Sequence, residues 1–443
     1  MAKTSLTSDL IMSTAMPQYR LNASETVKIG FLGPLTGDVS AWGEPGYQGC
    51  RIWEEWINAE GGIVLKDGRH RVEIVPFDCH YDGKLAFDGA KKLIQEDKVK
   101  FLMTLGGDIF PPIASLLQHS KTLASTLLPS DLSPDTALLI APSEVHPIYN
   151  VTGVDWLAEN KPQLKTAALC AQRDSLGLPS IATYRAAFEA AGIDVVKEIF
   201  FSVEEFNAQA IVASMSADAP DILCWDTSYE PFVHALTEEV HRCGLKSQLL
   251  SCTADNYRRL VATTSVEFMQ GFMFQFPDFD DPALDAQHVN FPRPNVFFDE
   301  FDRRFPGNWS AVSWEYVSIL DLWRTAVESA GTIEPKSVLA AMKSGGNAKH
   351  AFGDARWWGR DLFGIDNALV GSWPVVMIDQ GKACTQEFRS ILKWWDVHGN
   401  ILIKHMNALG QMWNQRAVLT PPNAEQGARE PNFTKALPVS KAR

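Results

Sequence analysis

The stretch VKIGFLGPLTGDVSAWGEPGYQGCRIWEEWINAEGG, residues 27–62, decides the fold class. Its first seven residues form a largely apolar run that ends in glycine, which predicts a short buried β-strand. After a glycine-rich loop, residues 47–62 repeat apolar side chains at helical spacing and end at Gly61 and Gly62, as helix termini often do. A strand, a loop and a helix in this order predict the first part of a βαβ unit.

The same alternation continues through most of the chain. Further strand-like runs lie at 71–78, 99–106, 165–172, 195–201, 221–226, 247–252 and 374–381, and helical segments lie at 84–97, 111–123, 179–192, 206–220, 231–245 and 312–331. Strands that alternate with helices of this length predict parallel sheets. Because the pattern comes in two blocks, we expect an α/β protein of two doubly wound lobes.

Composition excludes several functional classes. Of 443 residues, 46% are hydrophobic and 21% are charged, as in ordinary globular proteins. The formal net charge of −13 argues against a nucleic-acid surface or an anionic-membrane patch, because both need clustered Lys and Arg. Seven scattered cysteines without C-x-x-C spacing predict buried thiols rather than a disulfide scaffold, a redox site or a metal site.

Short catalytic and cofactor motifs are missing. Gly30, Gly33 and Gly37 have the wrong spacing for the dinucleotide motif G-x-G-x-x-G, and the chain contains no P-loop, H-E-x-x-H or G-x-S-x-G sequence. We therefore expect no catalytic residues, no cofactor and no metal. An enzyme stays open as an alternative, since many enzymes lack short motifs.

Loops that follow strands are the places to look for a binding site, because ligands bind beyond the carboxyl ends of parallel strands. The loop 33–49 carries Trp42, which we expect to face a cleft, although it could pack on its own lobe. The loop 106–112 offers backbone N–H groups at a helix start, which suit a carboxylate, while Asp108 could instead cap that helix. The segment 129–134 offers hydroxyls, or is simply a turn.

These loops resemble the branched-chain amino-acid-binding group of type I periplasmic solute-binding proteins. The resemblance begins at 27–63 with a strand, a G-x-x-(S/T)-G turn, an aromatic–glycine pair and a helix that ends I-N-A-x-G-G-I. It continues at 77–99, 188–196, 219–225 and 244–250. It implies two lobes joined by three chain crossings, a small ligand held between them, and closure by hinge bending.

The resemblance also implies domain limits. We expect an N-terminal extension at 1–26, lobe 1 at 27–141 and 256–362, lobe 2 at 142–255 and 363–398, and a C-terminal extension at 399–443. The crossings would lie near 140–144, 252–256 and 360–368.

Candidate ligand-binding residues follow by position. In lobe 1 the resemblance implies Trp42 against the ligand's side chain, and two carboxylate-binding loops with Gly107, Asp108, Ile109, Ser130, Asp131 and Ser133. In lobe 2 it implies Leu176, where tyrosine is usual, together with Ser228, Tyr229, Thr253, Asp255 as the acidic partner of an amino group, and Phe274 as an apolar contact.

The function implied is that of the substrate-binding component of an ABC importer, monomeric, with a membrane permease as partner and no nucleic acid. Its ligand would be amino-acid-like, an amide, or an apolar or aromatic carboxylate. Asp108 and Leu176 depart from the family pattern, which disfavours a standard α-amino acid. The location implied is the periplasm, although residues 1–26 contain no convincing secretory signal. A cytoplasmic ligand-sensing regulator on the same fold is the main alternative.

Overall fold

The computed structural model describes residues 26–416, apart from 38, 144, 204, 227–228 and 286–288. Residues 1–25 and 417–443, which make up most of the two expected extensions, lie outside the described residues.

The first lobe is built around a parallel sheet with strand order β4-β1-β5-β6-β7. Its elements are β1 (Val27–Gly33), α1 (Glu44–Ala59), β2 (Ile63–Leu65), β3 (Gly68–His70), β4 (Val72–Asp78), α2 (Gly83–Lys91), β5 (Phe101–Thr104), α3 (Phe110–Ser120), β6 (Leu123–Ser125) and β7 (Leu139–Ile140). Strands β2 and β3 form a separate hairpin. The core of the sheet is mainly apolar, as expected when helices cover both faces of a parallel sheet, although Thr104 of β5 and Ser125 of β6 are also fully buried.

The second lobe has a parallel sheet in the order β9-β8-β10-β11-β12. Its elements are α4 (Asn150–Asn160), β8 (Thr166–Gln172), α5 (Gly177–Ala191), β9 (Asp194–Phe201), α6 (Ala208–Ser216), β10 (Ile222–Asp226), α7 (Glu230–Arg242), β11 (Gln248–Ser251), α8 (Tyr257–Thr263), α9 (Val266–Met269) and β12 (Met273–Phe274). The predicted pair of α/β lobes is therefore confirmed.

The remaining elements complete both lobes. They are α10 (Pro294–Arg304), α11 (Val312–Ala330), α12 (Pro335–Met342), β13 (Asn347–His350), β14 (Gly353–Trp358), α13 (Arg360–Phe363), β15 (Ala368–Asp379), β16 (Lys382–Ser390) and α14 (Ile391–Ala408). Helices α10 and α11 pack on α1 in the first lobe, whereas β15 pairs antiparallel with β12 and extends the second sheet. None of the described helices is both long and apolar enough to cross a membrane.

Two glycines of α1 bring this helix into backbone contact with α11. A β-carbon on Gly49 would lie 2.0 Å from the Ser313 carbonyl oxygen, and one on Gly46 would lie 2.4 Å from the Tyr316 ring. The Trp53 indole N–H also donates to Asp321 Oδ1 at 2.7 Å. These glycines thus serve helix packing, and this packing fixes the N-terminal end of α11 beside the first lobe.

The strand pairings correct part of the expected lobe limits. β12 pairs with β11 and β15, so residues 256–274 continue the second lobe and the second crossing comes after Phe274, not near 252–256. β13 pairs with β14, and β14 pairs with the first residues of β15, Ala368–Gly371, next to the third crossing. The boundary expected at residue 398 falls inside α14. These pairings join short strands that are distant along the chain, so local sequence patterns do not predict them.

The first and third crossing segments lie side by side. The Ala141 N–H donates to the Asn367 carbonyl, and the Leu369 N–H donates to the Ala141 carbonyl, both at 2.9 Å. This bridge joins the end of the first sheet to the beginning of β15. It is the kind of thin connection about which two lobes can rotate.

All seven cysteines are free thiols. Five are buried, but Cys243 is exposed and Cys384 is partly exposed, so the expectation of buried thiols fails at these two positions.

Candidate ligand-binding site

A cavity lies between the two lobes, where the strand-end loops meet. It encloses about 510 Å³, including its open mouth. Its lining residues come from both lobes and from the crossing segments: Trp42, Tyr81, Leu105, Leu127, Leu128, His146, Tyr149, Leu176, Thr253, Asp255, Phe276, Ala311, Val312 and Glu315. Small-molecule sites occur preferentially at such interfaces between domains.

Aromatic side chains form one wall of the cavity and bring the lobes into contact. Trp42, which is 8% exposed, stands edge-on to Tyr81 of its own lobe, with ring centroids 5.5 Å apart. It stands in the same way to Tyr229 of the second lobe, at 5.9 Å. The second pair exists only when the lobes are close together, so the structure represents a closed arrangement.

A second contact across the cleft lies at its rim. A β-carbon on Gly107, in the first lobe, would lie 3.4 Å from Ser175 Oγ in the second.

The Asp255 carboxylate of the second lobe accepts a hydrogen bond from the Ala311 N–H, at 3.2 Å, at the beginning of α11. A carboxylate at a helix N-terminus is favourable because it meets unsatisfied N–H groups and the positive end of the helix dipole.

The polar side chains of the cavity include two carboxylates and one threonine hydroxyl. Glu315, in the first turn of α11, is fully buried. Thr253 is 3% exposed, and its hydroxyl has no hydrogen-bond partner among the described residues. None of the described lining residues is Lys or Arg. A buried hydroxyl without a partner is costly, so this position favours a ligand that supplies the missing hydrogen bond.

In the loop 106–112, which was expected to bind a ligand carboxylate, a backbone N–H group is already bonded to a carboxylate of the protein. The Gly107 N–H donates to Asp131 Oδ2 at 3.2 Å, and the Thr126 hydroxyl donates to the same oxygen at 2.6 Å. Burial raises the pKa of Asp131 to about 7, although both hydrogen bonds oppose this rise. Asp131 therefore occupies the donor that a ligand carboxylate would need.

The second lobe has a half-buried carboxyl group at the same rim. Asp174 accepts hydrogen bonds from the Leu176 and Gly177 N–H groups, at 3.0 and 2.8 Å, where α5 begins. Burial raises its pKa to about 6, and the charge of Asp108 across the cleft contributes to the rise. Carboxyl groups at the rim thus oppose the entry of an anion when they are charged.

The structure brings together some of the sequence-predicted residues and separates others. Trp42, Leu176, Thr253 and Asp255 line the cavity, and Tyr229 packs on Trp42. Predicted residues that do not line it are Gly107, Asp108, Ile109, Ser130, Asp131, Ser133 and Phe274. Phe274 lies on β12 and lines a neighbouring cavity, and Ile109 belongs to the core. Ser228 lies outside the described residues.

Several lining residues were missed by sequence reasoning. Tyr81 lies three residues after the end of β4, so the strand-end rule could have found it. Glu315 could have been noticed as a carboxylate within the apolar segment VSWEYVSIL of a helix. His146, Tyr149 and the leucines carry no such signal, because an apolar or aromatic residue in a loop is more often part of the core.

Comparison with known proteins identifies the family. A family model described as periplasmic binding protein matches residues 26–383, most of the chain. The chain belongs to the periplasmic binding protein family. The resemblance to the branched-chain amino-acid-binding group of type I proteins is thereby confirmed, together with the fold.

Relatives of this periplasmic binding protein are distant. A leucine-, isoleucine-, valine-, threonine- and alanine-binding protein of Pseudomonas aeruginosa is 21% identical over 340 residues, which cover 73% of this chain and 83% of that protein. A solved leucine-binding protein from Thermotoga maritima has a TM-score of 0.67 at 17% identity, covering 82% of this chain and 99% of that one. A solute-binding protein of an ABC transporter from Rhodopseudomonas palustris, in complex with p-hydroxybenzoic acid, has a TM-score of 0.68 at 16% identity and covers 85% of this chain and 100% of that one.

Proposed function

We propose that this protein is the solute-binding component of an ABC importer and that it captures one small molecule by closing its lobes. The observation that carries this proposal is the cavity, which is lined from both lobes and from the crossing segments. A ligand enclosed in this way loses contact with water, which strengthens each polar interaction that it makes. Release of the ligand to a membrane permease would follow reopening, with no covalent step.

The ligand that fits this cavity best is a small apolar or aromatic molecule that carries N–H donors, such as an amide or a protonated amine. Glu315, Asp255 and the Thr253 hydroxyl can all accept hydrogen bonds, and the described lining offers no Lys or Arg side chain to an anion. The Gly107 N–H that could receive a carboxylate is already bonded to Asp131. Of the ligands implied by the resemblance, we therefore favour the amide over the carboxylate.

A thermal-shift screen with matched aromatic probes tests this proposal. Benzamide, benzylamine and benzoate have similar rings but differ in charge and in donors. An N–H-bearing probe at 100 times its Kd should stabilise the protein by about 2.7 kcal/mol. Benzoate at the same concentration should give no shift, and a larger shift with benzoate would overturn the choice of ligand class.

Two tryptophan variants connect the screen to the cavity. Trp42→Ala should abolish the stabilisation by a probe, because Trp42 forms the aromatic wall. Trp413→Ala is the matched control, since Trp413 is 38% exposed and lies outside the cavity lining. Equal stabilisation of both variants would remove Trp42 from the binding site.

We further propose that the protein is periplasmic and monomeric and binds no nucleic acid. The family description supports the periplasmic location, and the net charge of −13 supports the absence of nucleic-acid binding. Cell fractionation separates the importer component from a cytoplasmic ligand sensor on the same fold, because only the former is exported.

Recovery of a chemically unchanged ligand from the complex tests whether the protein turns its ligand over.

A further inference from the structure

A buried group of metal-binding side chains lies in the second lobe, beside the central cavity. His146 comes from the first crossing segment, Asp226 from the end of β10, and Cys252 from the loop after β11. They are 4%, 3% and 0% exposed. The sequence predicts no metal site, because these residues are far apart along the chain and have no ligand spacing.

The three side chains are within reach of one ion. The ligand atoms of the group all lie within 4.8 Å of one another, and His146 Nε2 is 3.4 Å from Asp226 Oδ1. Bonds of 2.0–2.3 Å in a tetrahedral zinc site place its ligand atoms about 3.3–3.8 Å apart. Side-chain rotations that move atoms by about 1 Å would therefore close the site.

The surroundings of the group favour a cation. A carboxylate as buried as that of Asp226 is stable only with hydrogen bonds and a positive charge nearby. The imidazole of His146 lies beside it, and the amide of Asn150 donates to Asp226 Oδ2. The Ser180 hydroxyl lies 3.1 Å from His146 Nε2, where it offers a further oxygen.

We propose that His146, Asp226 and Cys252 bind a divalent ion of the zinc class. A nitrogen, an oxygen and a sulfur ligand are the set that zinc accepts, and a thiolate with a carboxylate neutralises its charge. Because His146 also lines the central cavity, the ion can enter through the cleft when the lobes are apart. Once bound, it ties the first crossing segment to the ends of two strands of the second lobe.

Cobalt titration of the full chain, stripped of metal with a chelator, tests this inference. A cobalt ion at this site should give a thiolate-to-cobalt charge-transfer band and the visible bands of tetrahedral coordination, saturating at one equivalent and reversed by zinc. Cys252→Ser should lose the charge-transfer band and weaken binding by at least about 100-fold. Cys243→Ser is the matched control, because Cys243 is exposed and lies outside the group.

Either of two binding results would contradict the proposed metal site. Absence of saturable cobalt and zinc binding to the wild-type chain would overturn the site, and so would unchanged binding in Cys252→Ser. If circular dichroism shows that Cys252→Ser does not fold, Asp226→Asn replaces it, and a folded Asp226→Asn protein that keeps full affinity would also overturn the site. Because the amide screen is run on the metal-free protein as well, failure of the metal site leaves the proposed function separately testable.

Discussion

The edge-on contact between Trp42 and Tyr229 should contribute to ligand affinity rather than to the stability of either lobe. The two rings belong to different lobes, and their centroids are 5.9 Å apart at an interplanar angle of 76°. Aromatic pairs in this geometry contribute about 0.5–1.5 kcal/mol beyond their buried area. Since the pair forms only on closure, this energy should appear in the Kd of the ligand.

A double-mutant cycle measures that energy. Trp42→Leu, Tyr229→Leu and the double variant are titrated by calorimetry with the ligand that the thermal-shift screen identifies. The double variant should bind about 2- to 12-fold more tightly than the product of the two single effects predicts, which corresponds to the coupling energy of the pair. Strictly additive effects on binding would refute the assignment of this contact to closure.

Tyr81 provides the control within one lobe. Its ring meets Trp42 at the same angle of 76°, with centroids 5.5 Å apart, but both residues belong to the first lobe. Coupling between Trp42 and Tyr81 should therefore appear in the free energy of unfolding of the ligand-free protein, as measured by urea denaturation. Coupling between Trp42 and Tyr229 should be absent from that measurement.

Three further substitutions test individual parts of the structure. Thr253→Val removes a buried hydroxyl that has no partner among the described residues. Calorimetry should show weaker ligand binding, while urea denaturation should show unchanged or higher stability. A loss of stability would mean that the hydroxyl is bonded in the free protein. Gly49→Ala should lower the free energy of unfolding by about 1–3 kcal/mol, because the new β-carbon would lie 2.0 Å from the Ser313 carbonyl oxygen. As a control on the same helix, substitution of the exposed Glu55 by Ala should change the free energy of unfolding by less than about 1 kcal/mol. Asp131 has a pKa of about 7 in the folded protein against 3.8 ordinarily, so its protonated form stabilises the fold at low pH and this contribution is lost as the pH rises from about 4 to about 7. Urea denaturation across that range should show the wild-type protein losing stability relative to Asp131→Asn, by no more than about 4 kcal/mol, and parallel pH profiles would contradict the burial of this carboxyl.

The sequence predicts the periodic parts of the fold and only some of the site. The seven residues of β1 and the helical stripe of α1 are visible as local patterns, and so is Trp42 in the loop between them. The strand β12 has only two residues, so its place in the second sheet depends on pairing with strands that are distant along the chain. No local pattern can reveal such a pairing.

The glycines of α1 illustrate the same limit within the site. The many glycines in the first loop and helix indicate that another part of the chain or a ligand approaches the backbone closely. They do not indicate which partner this is. The structure shows that Gly46 and Gly49 approach α11, and Glu315 enters the cavity on that helix. Similarly, the use of Asp131 to satisfy the Gly107 N–H depends on two loops that meet only in the folded chain.

Small-angle X-ray scattering with and without ligand tests the central claim most directly. If the lobes close on one small molecule in the cavity, a saturating concentration of the ligand found in the screen should lower the radius of gyration of the wild-type protein, and Trp42→Ala at the same concentration should keep the larger value. A radius of gyration that stays constant while the ligand binds would contradict capture by closure.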